Sequence, residues 1–457
     1  LGISNLKVII LAAGRGTRMK SDLPKVLHPV CGVPMIQHVV KAARSVSRHK
    51  PLVVIGYQAE LVSEELGTTV DYVLQEKQLG TGHALMMAGP HLGGFPGDLL
   101  VLYGDTPLIT EKTLIGMVAE HHKAQAGVTV LSVEVDEPTG YGRIVRDKNG
   151  DLQGIVEEKD ASPTEKKIKE VNTGIYLFDC QELNKSLNQL KPDNAQGEYY
   201  LTDVISLLVT EGKKALAVLS GKSEEILGPN DRKTLAETDR IMRRRILDYW
   251  MMEGVTIIDP SSTYIEDQVK IGRDSIIYPG TFLQGSTEVG ENCQIGPYSQ
   301  IQNSLIGNGS LVRFSVLDQA KTGQGVNIGP YSYLRPGTIL EDKGKIGGFV
   351  ETKNSQIGEG SKVPHLSYIG DCKIGTEVNI GAGTITCNYD GYSKHQTVIG
   401  DEAFIGSNTN LVAPVNVGKG ALVGAGSTIT KDVPASALAL ARSRQINKEK
   451  WYRRKKD

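Results

Sequence analysis

Branched aliphatic residues recur at every sixth position in the second half of the chain, and few folds accept such a period. Ile271, Ile277, Leu283, Val289, Ile295 and Ile301 open the series. Ile357, Val363 and Ile369 return in a shifted phase, and Ile399, Ile405, Leu411, Val417, Val423 and Ile429 close it. Glycine follows at once at Gly272, Gly290, Gly296, Gly358, Gly370, Gly400, Gly406, Gly418 and Gly424. Neither a helix nor the simple alternation of a half-buried strand repeats in this way. The pattern is that of a left-handed parallel β-helix of hexapeptide repeats. Six residues form one flat face, three faces make a coil, the aliphatic points inward and small residues take the corners. This also accounts for 52 glycines and an aromatic content of 5%. The interruptions at 314–325 and 386–396 are expected to be loops that leave the coil, where function tends to sit. Three-fold packing of three prisms would cover the edge-rich flat sides, so a homotrimer with a site between subunits is expected.

The first half has a different grammar. Short apolar runs at 7–11, 51–56, 70–74, 98–105 and 128–135 alternate with amphipathic stretches near 34–47, 59–66, 82–88 and 110–124. Strands alternating with helices predict a Rossmann-like α/β domain with a mostly parallel sheet. Ligands of such sheets bind at the carboxyl ends of strands near a topological switch point, which directs attention to 12–25 and 103–105. Between the halves, Leu235, Met242, Ile246 and Trp250 fall on one helical face, Arg243, Arg244 and Arg245 add charge, and Gly254 supplies a stop. The expected organisation is 1–230, a linking helix at 231–253, and the β-helix with its tail at 254–457.

At 457 residues the chain exceeds what one core organises. Lys+Arg 51 against Asp+Glu 52 leaves a net charge of -1, so there is no global basic field for nucleic acid or an anionic membrane. Cys31, Cys180, Cys293, Cys372 and Cys387 form no CxxC and fit reduced, mostly buried thiols. The run at 8–13 reads as a short strand with no basic region before a signal-length segment. No run approaches the roughly 18 apolar residues of a membrane span. A cytoplasmic protein is expected.

Just after the first strand stands Leu11-Ala12-Ala13-Gly14-Arg15-Gly16-Thr17-Arg18-Met19, followed by Leu23-Pro24-Lys25. Small residues let the backbone approach a phosphate chain, and successive N–H groups there bind anions. Arg18 and Lys25 can neutralise a triphosphate at its reacting phosphorus. The motif is neither a dinucleotide fingerprint nor a P-loop. With Gln75, Gly80-Thr81-Gly82-His83-Ala84, Tyr103-Gly104-Asp105, Gly140-Tyr141-Gly142-Arg143, Glu157, Val171-Asn172-Thr173-Gly174 and Gly228-Pro229-Asn230, it resembles the sugar-1-phosphate nucleotidyltransferases. With the hexapeptide half attached, about residues 5–445 resemble the bacterial bifunctional N-acetylglucosamine-1-phosphate uridylyltransferase/glucosamine-1-phosphate N-acetyltransferase family.

The resemblance implies that Asp105 and Asn230 hold Mg²⁺. A lone carboxylate at a strand's end suits an ion that takes few protein oxygens and keeps substrate phosphates and water. It further implies that Leu11, Ala12, Ala13, Gly14, Gln75, Gly80, Thr81, Tyr103 and Gly104 contact the uridine nucleotide, and that Gly140, Glu157 and Asn172 hold the sugar. Glu158 beside Glu157 leaves open which carboxylate points inward.

In the second half the polar cluster is Arg335, Lys353, His365, Tyr368, Asn379 and Asn388-Tyr389-Asp390-Gly391. Acetylating an amine at neutral pH requires removal of a proton, and histidine is the fitting base. His365 stands just past the inward position Val363. The resemblance makes His365 the base and puts Arg335, Lys353, Tyr368 and Asn379 on the amino-sugar phosphate. It lays Ala382, Asn388, Tyr389, Ser407, Ala425 and Arg442 along acetyl-CoA. The implied sequence acetylates glucosamine 1-phosphate, then couples N-acetylglucosamine 1-phosphate to UTP, with release of pyrophosphate, for cell-wall precursor synthesis. An ADP- or GDP-sugar enzyme with an idle β-helix would not need the His365 and 388–391 clusters. A silent scaffold would not keep Arg18, Lys25, Asp105 and Asn230. The basic tail at 448–456 is expected to be solvated, with a grip on CoA phosphates as the lesser alternative.

Overall fold

Alternate residues of a strand face opposite ways, and in the first strand both ways are apolar. In the computed structural model, which describes residues 3–449 and 451, β1 (Leu6–Ala12) directs Leu6, Val8 and Ile10 into one core and Ile9 and Leu11 into another. A strand buried on both faces reads as an unbroken apolar run because neither face needs polar residues. The elements that follow are α1 (Met35–Val46), β2 (Leu52–Ile55), α2 (Ala59–Leu66), β3 (Asp71–Leu74), α3 (Thr81–Leu92), β4 (Asp98–Tyr103), α4 (Glu111–Ala124) and β5 (Val128–Glu134). Then come β6 (Arg143–Arg146), β7 (Leu152–Val156), β8 (Glu170–Asp179), α5 (Cys180–Leu187), α6 (Asp203–Thr210), β9 (Ala215–Leu219) and α7 (Arg232–Met252).

The main sheet runs β9-β5-β8-β4-β1-β2-β3, with β6 and β7 appended as a hairpin beside β8. β3, β2, β1 and β4 are parallel, as are β5 and β9, and β8 runs antiparallel to both β4 and β5. Helices α1 and α4 cover one face, and α3, α5 and α6 the other. Helix formation follows local chemistry. In α1 the buried Met35, Ile36, Val39, Val40, Ala43 and Val46 make a single stripe. Helix α4 starts where Thr110 Oγ1 accepts the Thr113 N–H. Strand order reverses beside β1, so the ends of β1, β3 and β4 open on one edge.

The chain divides into two units, Leu1–Met242 and Arg243–Asp457, the division falling inside the 21-residue α7. Along α7 the buried residues are Thr238, Ile246 and Leu247, while Leu235, Met242 and Trp250 are half-buried. The expected stripe therefore omits two of the three residues that α7 buries.

In the second unit short strands join into three parallel sheets of 11, 10 and 9 strands, every third strand entering the same sheet until the final strand. This is the architecture of a left-handed β-helix. Inward residues stack in register: Ile277 faces Ile295, Ile295 faces Val312, and Val312 faces Ile328. The first step spans 18 residues, the second 17 and the third 16. Coils shortened by one or two residues are therefore the cause of the phase slip. The segment 314–325 is a correction to the sequence reading. It contains the strands Val316–Asp318 and Lys321–Thr322 and stays in the coil, because Leu317 and Ala320 remain buried after the deletion. The second interruption does leave the coil, but only from 388 to 396. Ile385–Cys387 is still paired, and Asn379 to Phe404 spans 25 residues. Residues 450 and 452–457 of the basic tail lie outside the described residues, while Lys448 Nζ sits 5.1 Å from the Trp451 ring.

Two candidate active sites

The first site is built on the carboxyl ends of β1, β3 and β4. Gly16 has φ 62°, and a Cβ there would strike the Lys25 side chain, so glycine is what lets Lys25 fold back against the loop. Lys25 Nζ is ion-paired with Asp105 Oδ2 and donates to Asn230 Oδ1 at 2.7 Å, and Arg18 Nη2 donates to the same oxygen at 2.9 Å. Asp105, Asn230, Lys25 and Arg18, drawn from four separate segments, thus meet at one point. Two hard oxygens converging on an ammonium group form a donor set suited to a hard dication with few protein ligands. Among the described residues no cluster of three His, Cys, Asp or Glu offers another such place.

Around this point opens a cleft of about 340 Å³ that is lined by Leu11, Ala12, Ala13, Gly14, Gln75, Gly80, Thr81 and Tyr103, as expected, along with Arg18, Lys25, Asp105 and Asn230. Gln78 and Glu198 also line it. Sequence reading missed both, since neither belongs to a motif. Gly104 sits behind the cleft, where a Cβ would press on Ala12 at 3.3 Å.

Glu157 and Asn172 meet at Gly142, where a Cβ would lie 3.4 Å from Glu157 Oε1 and 3.5 Å from Asn172 Cβ. Strand β8 bulges between Asn172 and Tyr176, and Gly174 there has φ 80°, with the Tyr103 ring in the space a Cβ would need. Asn172 Nδ2 donates to the Tyr176 hydroxyl at 2.7 Å, and its Oδ1 accepts the Gly174 N–H at 3.0 Å. The two neighbouring glutamates separate by partner. Glu158 takes a 2.6 Å bond from Arg143 and a 3.2 Å bond from the Gly140 N–H, which pins the 140–143 turn. Glu157 accepts only from Thr202 at 3.2 Å among the described residues. Burial holds the Glu157 carboxyl above its ordinary range, with Asp203 and Asp160 adding to that and Thr202 opposing. Burial also pushes the Tyr103 hydroxyl up, assisted by the Glu157 charge.

The second site lies on one corner of the β-helix. His365 ends the strand Lys362–His365, Leu366 turns the corner at φ 49°, and Tyr368 opens the next face. One coil back, Glu351 pairs with Tyr368 and accepts a 2.7 Å bond from Arg335 Nη1. Lys353 is held below its ordinary range by the charge of Lys394 and then of Arg335. Three cations in one place make a seat for an anion. Lys394 was invisible as a candidate because the 388–396 excursion carries it back: Tyr389 bridges Lys394, and Asn388 Nδ2 donates to Asp371 Oδ2 at 2.5 Å. Asn379 lies one coil on, paired with Lys362.

Backbone bonds climb this corner from coil to coil. The N–H of Gly383 reaches His365 O at 3.4 Å, that of Asn408 reaches Ala382 O at 2.7 Å, and that of Gly426 reaches Ser407 O at 2.8 Å. Arg442 Nη1 then donates to Ala425 O at 2.8 Å. His365, Ala382, Ser407 and Ala425 are therefore one column. The adjoining column changes character at the same height. It reads Tyr298, Phe314, Tyr331, Phe349 and Leu366, then Gly383, Asn408 and Gly426. Below His365 the corner is bulky and aromatic; above it the side chains are small.

A family model described as nucleotidyl transferase matches residues 7–251, and one described as bacterial transferase hexapeptide (six repeats) matches residues 396–431. The bifunctional protein GlmU of Geobacillus sp. (strain WCH70) is 53% identical over 446 residues, 98% of this chain and 97% of that protein. The GlmU proteins of Halalkalibacterium halodurans and of Caldanaerobacter subterraneus subsp. tengcongensis are 51% and 53% identical, over 99% and 98% of this chain and 100% and 98% of theirs. Identity at half of all residues along nearly the full length of both chains means that the chain belongs to the GlmU family of bifunctional proteins.

Proposed function

We propose that the chain carries both activities of that family, acetyl transfer at the β-helix corner and uridylyl transfer at the sheet edge. The observation that carries the reading is that both clusters are complete in one chain: Arg18, Lys25, Asp105 and Asn230 in the first, Arg335, Lys353, His365 and Tyr368 in the second. The working division is 1–230 for uridylyl transfer, 231–253 as the link and 254–457 for acetyl transfer.

In the acetyl step the phosphate of glucosamine 1-phosphate sits among Arg335, Lys353 and Lys394, with Tyr368 and Asn379 on the sugar. His365 takes a proton from the amino group, whose nitrogen attacks the thioester carbonyl of acetyl-CoA, and CoA leaves as the thiolate. The column of small residues Ala382, Ser407 and Ala425, which ends at Arg442, would take an extended pantetheine arm, with Asn388 and Tyr389 contributing to the same site.

In the uridylyl step an oxygen of N-acetylglucosamine 1-phosphate attacks the α-phosphorus of UTP, and the bond to pyrophosphate breaks. Mg²⁺, held by Asp105 and Asn230, supplies charge neutralisation at the phosphates when bound. Arg18 and Lys25 stabilise the charge that moves toward pyrophosphate. Gly140, Glu157 and Asn172 orient the sugar, with Glu157 facing it and Glu158 serving the turn.

A homotrimer is supported by the aromatic column, whose Tyr298, Tyr331, Phe349 and Leu366 are 69%, 57%, 64% and 63% exposed. A contiguous apolar strip of this kind marks an interaction surface, and it ends beside His365. No helix among the described residues is long and apolar enough to cross a membrane, and a cytoplasmic location suits substrates such as UTP and acetyl-CoA.

Mass spectrometry of one mixture containing protein, glucosamine 1-phosphate, acetyl-CoA, UTP, ATP, GTP and Mg²⁺ tests the whole reading. UDP-N-acetylglucosamine should form only with acetyl-CoA present. A different nucleotide sugar, or no acetylated product, would overturn it.

A further inference from the structure

We infer that His83 is a positioning residue for base selection: it fixes the amide of Gln75 so that the carbonyl oxygen, and not the NH₂ group, is what the base meets. The inference rests on the reading that the cleft of the first unit takes UTP. Gln75 follows β3, is 3% exposed and lines the cleft. Its Nε2 donates to Gly80 O at 3.1 Å and to His83 Nδ1 at 3.0 Å. An amide nitrogen has two protons, and both are spent there. Oε1 accepts no hydrogen bond among the described residues and is the atom left to pair with a ligand.

Amide orientation is assigned from hydrogen-bond partners, and here the partners decide it. With the amide turned over, Oε1 would face the Gly80 carbonyl, acceptor against acceptor. That carbonyl cannot swing away. Gly80 has φ 109° and packs so closely on the Tyr199 backbone that a Cβ would lie 2.6 Å from Tyr199 O. Tyr199 is tied on both sides of the glycine, its N–H to Leu79 O at 2.9 Å and its carbonyl to the Gly82 N–H at 2.8 Å. His83, on the first turn of α3, accepts the second proton through Nδ1, so its own proton is on Nε2, and its ring lies 6.3 Å from that of Tyr199.

Strand order places this arrangement at the base. From β4, which delivers Asp105, to β3, which delivers Gln75, are three strand spacings, about 14 Å. Phosphates belong at the cationic end with Arg18 and Lys25, so the base belongs at the other end with Gln75 and Gly80, where the neighbouring charged residue, Glu198, is an anion. At its N3 position uracil presents an N–H, whereas cytosine presents a lone pair. An acceptor locked toward that edge pairs with the first and repels the second. A site built to hydrogen-bond one group rejects the analogue lacking it, because the buried partner is left unpaired.

The test compares kcat/KM for UTP and for CTP, with N-acetylglucosamine 1-phosphate and Mg²⁺, in the wild type, His83→Leu, His83→Ala, His83→Asn and Gln75→Ala. The leucine and alanine variants lack the acceptor, and either serves if the other does not fold. Each should lower the UTP-to-CTP ratio by about tenfold, the scale of one hydrogen bond. His83→Asn, whose Oδ1 can take the place of Nδ1, should restore it, an outcome that a merely structural role would not give. Acetyl transfer should stay unchanged throughout. A ratio held within twofold in His83→Leu or His83→Ala, but lost in Gln75→Ala, overturns the role of His83 alone. A ratio held in Gln75→Ala as well means that the base does not meet Gln75, and overturns the reading of the cleft together with the inference.

Discussion

Glu157 is half-buried with no ion pair among the described residues, and that makes it a trade between stability and binding. Burial raises its folded pKa above the unfolded value, with Asp203 and Asp160 acting in the same direction. A raised carboxyl favours the fold below the unfolded pKa and loses that contribution as pH rises through the folded one. At pH 7 the fold therefore carries a charge that burial disfavours more than Thr202 and Arg143 offset, and Glu157→Gln should melt at a higher temperature than the wild type. The difference should shrink as pH falls through the carboxylate range. On the proposed function Glu157 is a charged acceptor for a sugar hydroxyl, and the same substitution should then raise KM for N-acetylglucosamine 1-phosphate about ten- to a hundredfold. Melting curves at several pH values and steady-state kinetics check both halves. A lower melting temperature at pH 7 would mean that Glu157 is stabilised by its surroundings. Glu158 would behave oppositely, since its bonds to Arg143 and Gly140 hold its pKa low.

At the level of elements, the β-helix shows what a sequence reveals and what it hides. The six-residue period exposes the architecture because every inward aliphatic stacks on a copy of itself. It hides the places where the stack uses another side chain. Thr352 and Thr386 are buried at inward positions, and a threonine reads as polar. It also hides shortened coils, so 314–325 reads as a loop although Leu317 keeps the stack intact. In the first unit the parallel core was legible from its apolar runs. The antiparallel β8 and the β6–β7 hairpin were not, because strand direction leaves no mark on composition. Motifs identified Lys25, Asp105 and Asn230, but Lys394 depends on where a loop returns. Thr386 offers a test at this scale. Its Oγ1 accepts the Gly370 N–H at 2.7 Å and bonds Gly370 O at 3.0 Å, just where the chain is about to leave the coil. Thr386→Val keeps the shape and strands a buried N–H, at a cost of about 1–3 kcal/mol. Amide exchange over 366–372 should quicken roughly ten- to a hundredfold, while exchange in β1 stays as it was. Unchanged exchange would show that the hydroxyl is not what closes this coil.

Across the whole molecule, two sites in separate units imply two separable activities. His365→Ala should abolish acetyl transfer and leave uridylyl transfer within about twofold, and Asp105→Ala should do the reverse. Either variant losing both activities would break the model of independent sites. Assembly should couple to only one of them. The exposed column Tyr298, Tyr331, Phe349 and Leu366 runs up the corner that carries His365, so a neighbouring prism seated on the column would also wall the acetyl site. The cleft at Asp105 takes its lining from the first unit alone. Placing charges on the column, as Tyr331→Asp with Phe349→Asp, opposes apolar burial while sparing the inward stack, since both side chains point to solvent. Sedimentation should then show trimer giving way to monomer. Acetyl transfer should fall by about a hundredfold or more, as expected when a site loses one wall and its ability to orient reactants. Uridylyl transfer should hold. A monomer with full acetyl transfer would mean that one prism completes the site, and an intact trimer would mean that the column faces something other than a second copy of this chain.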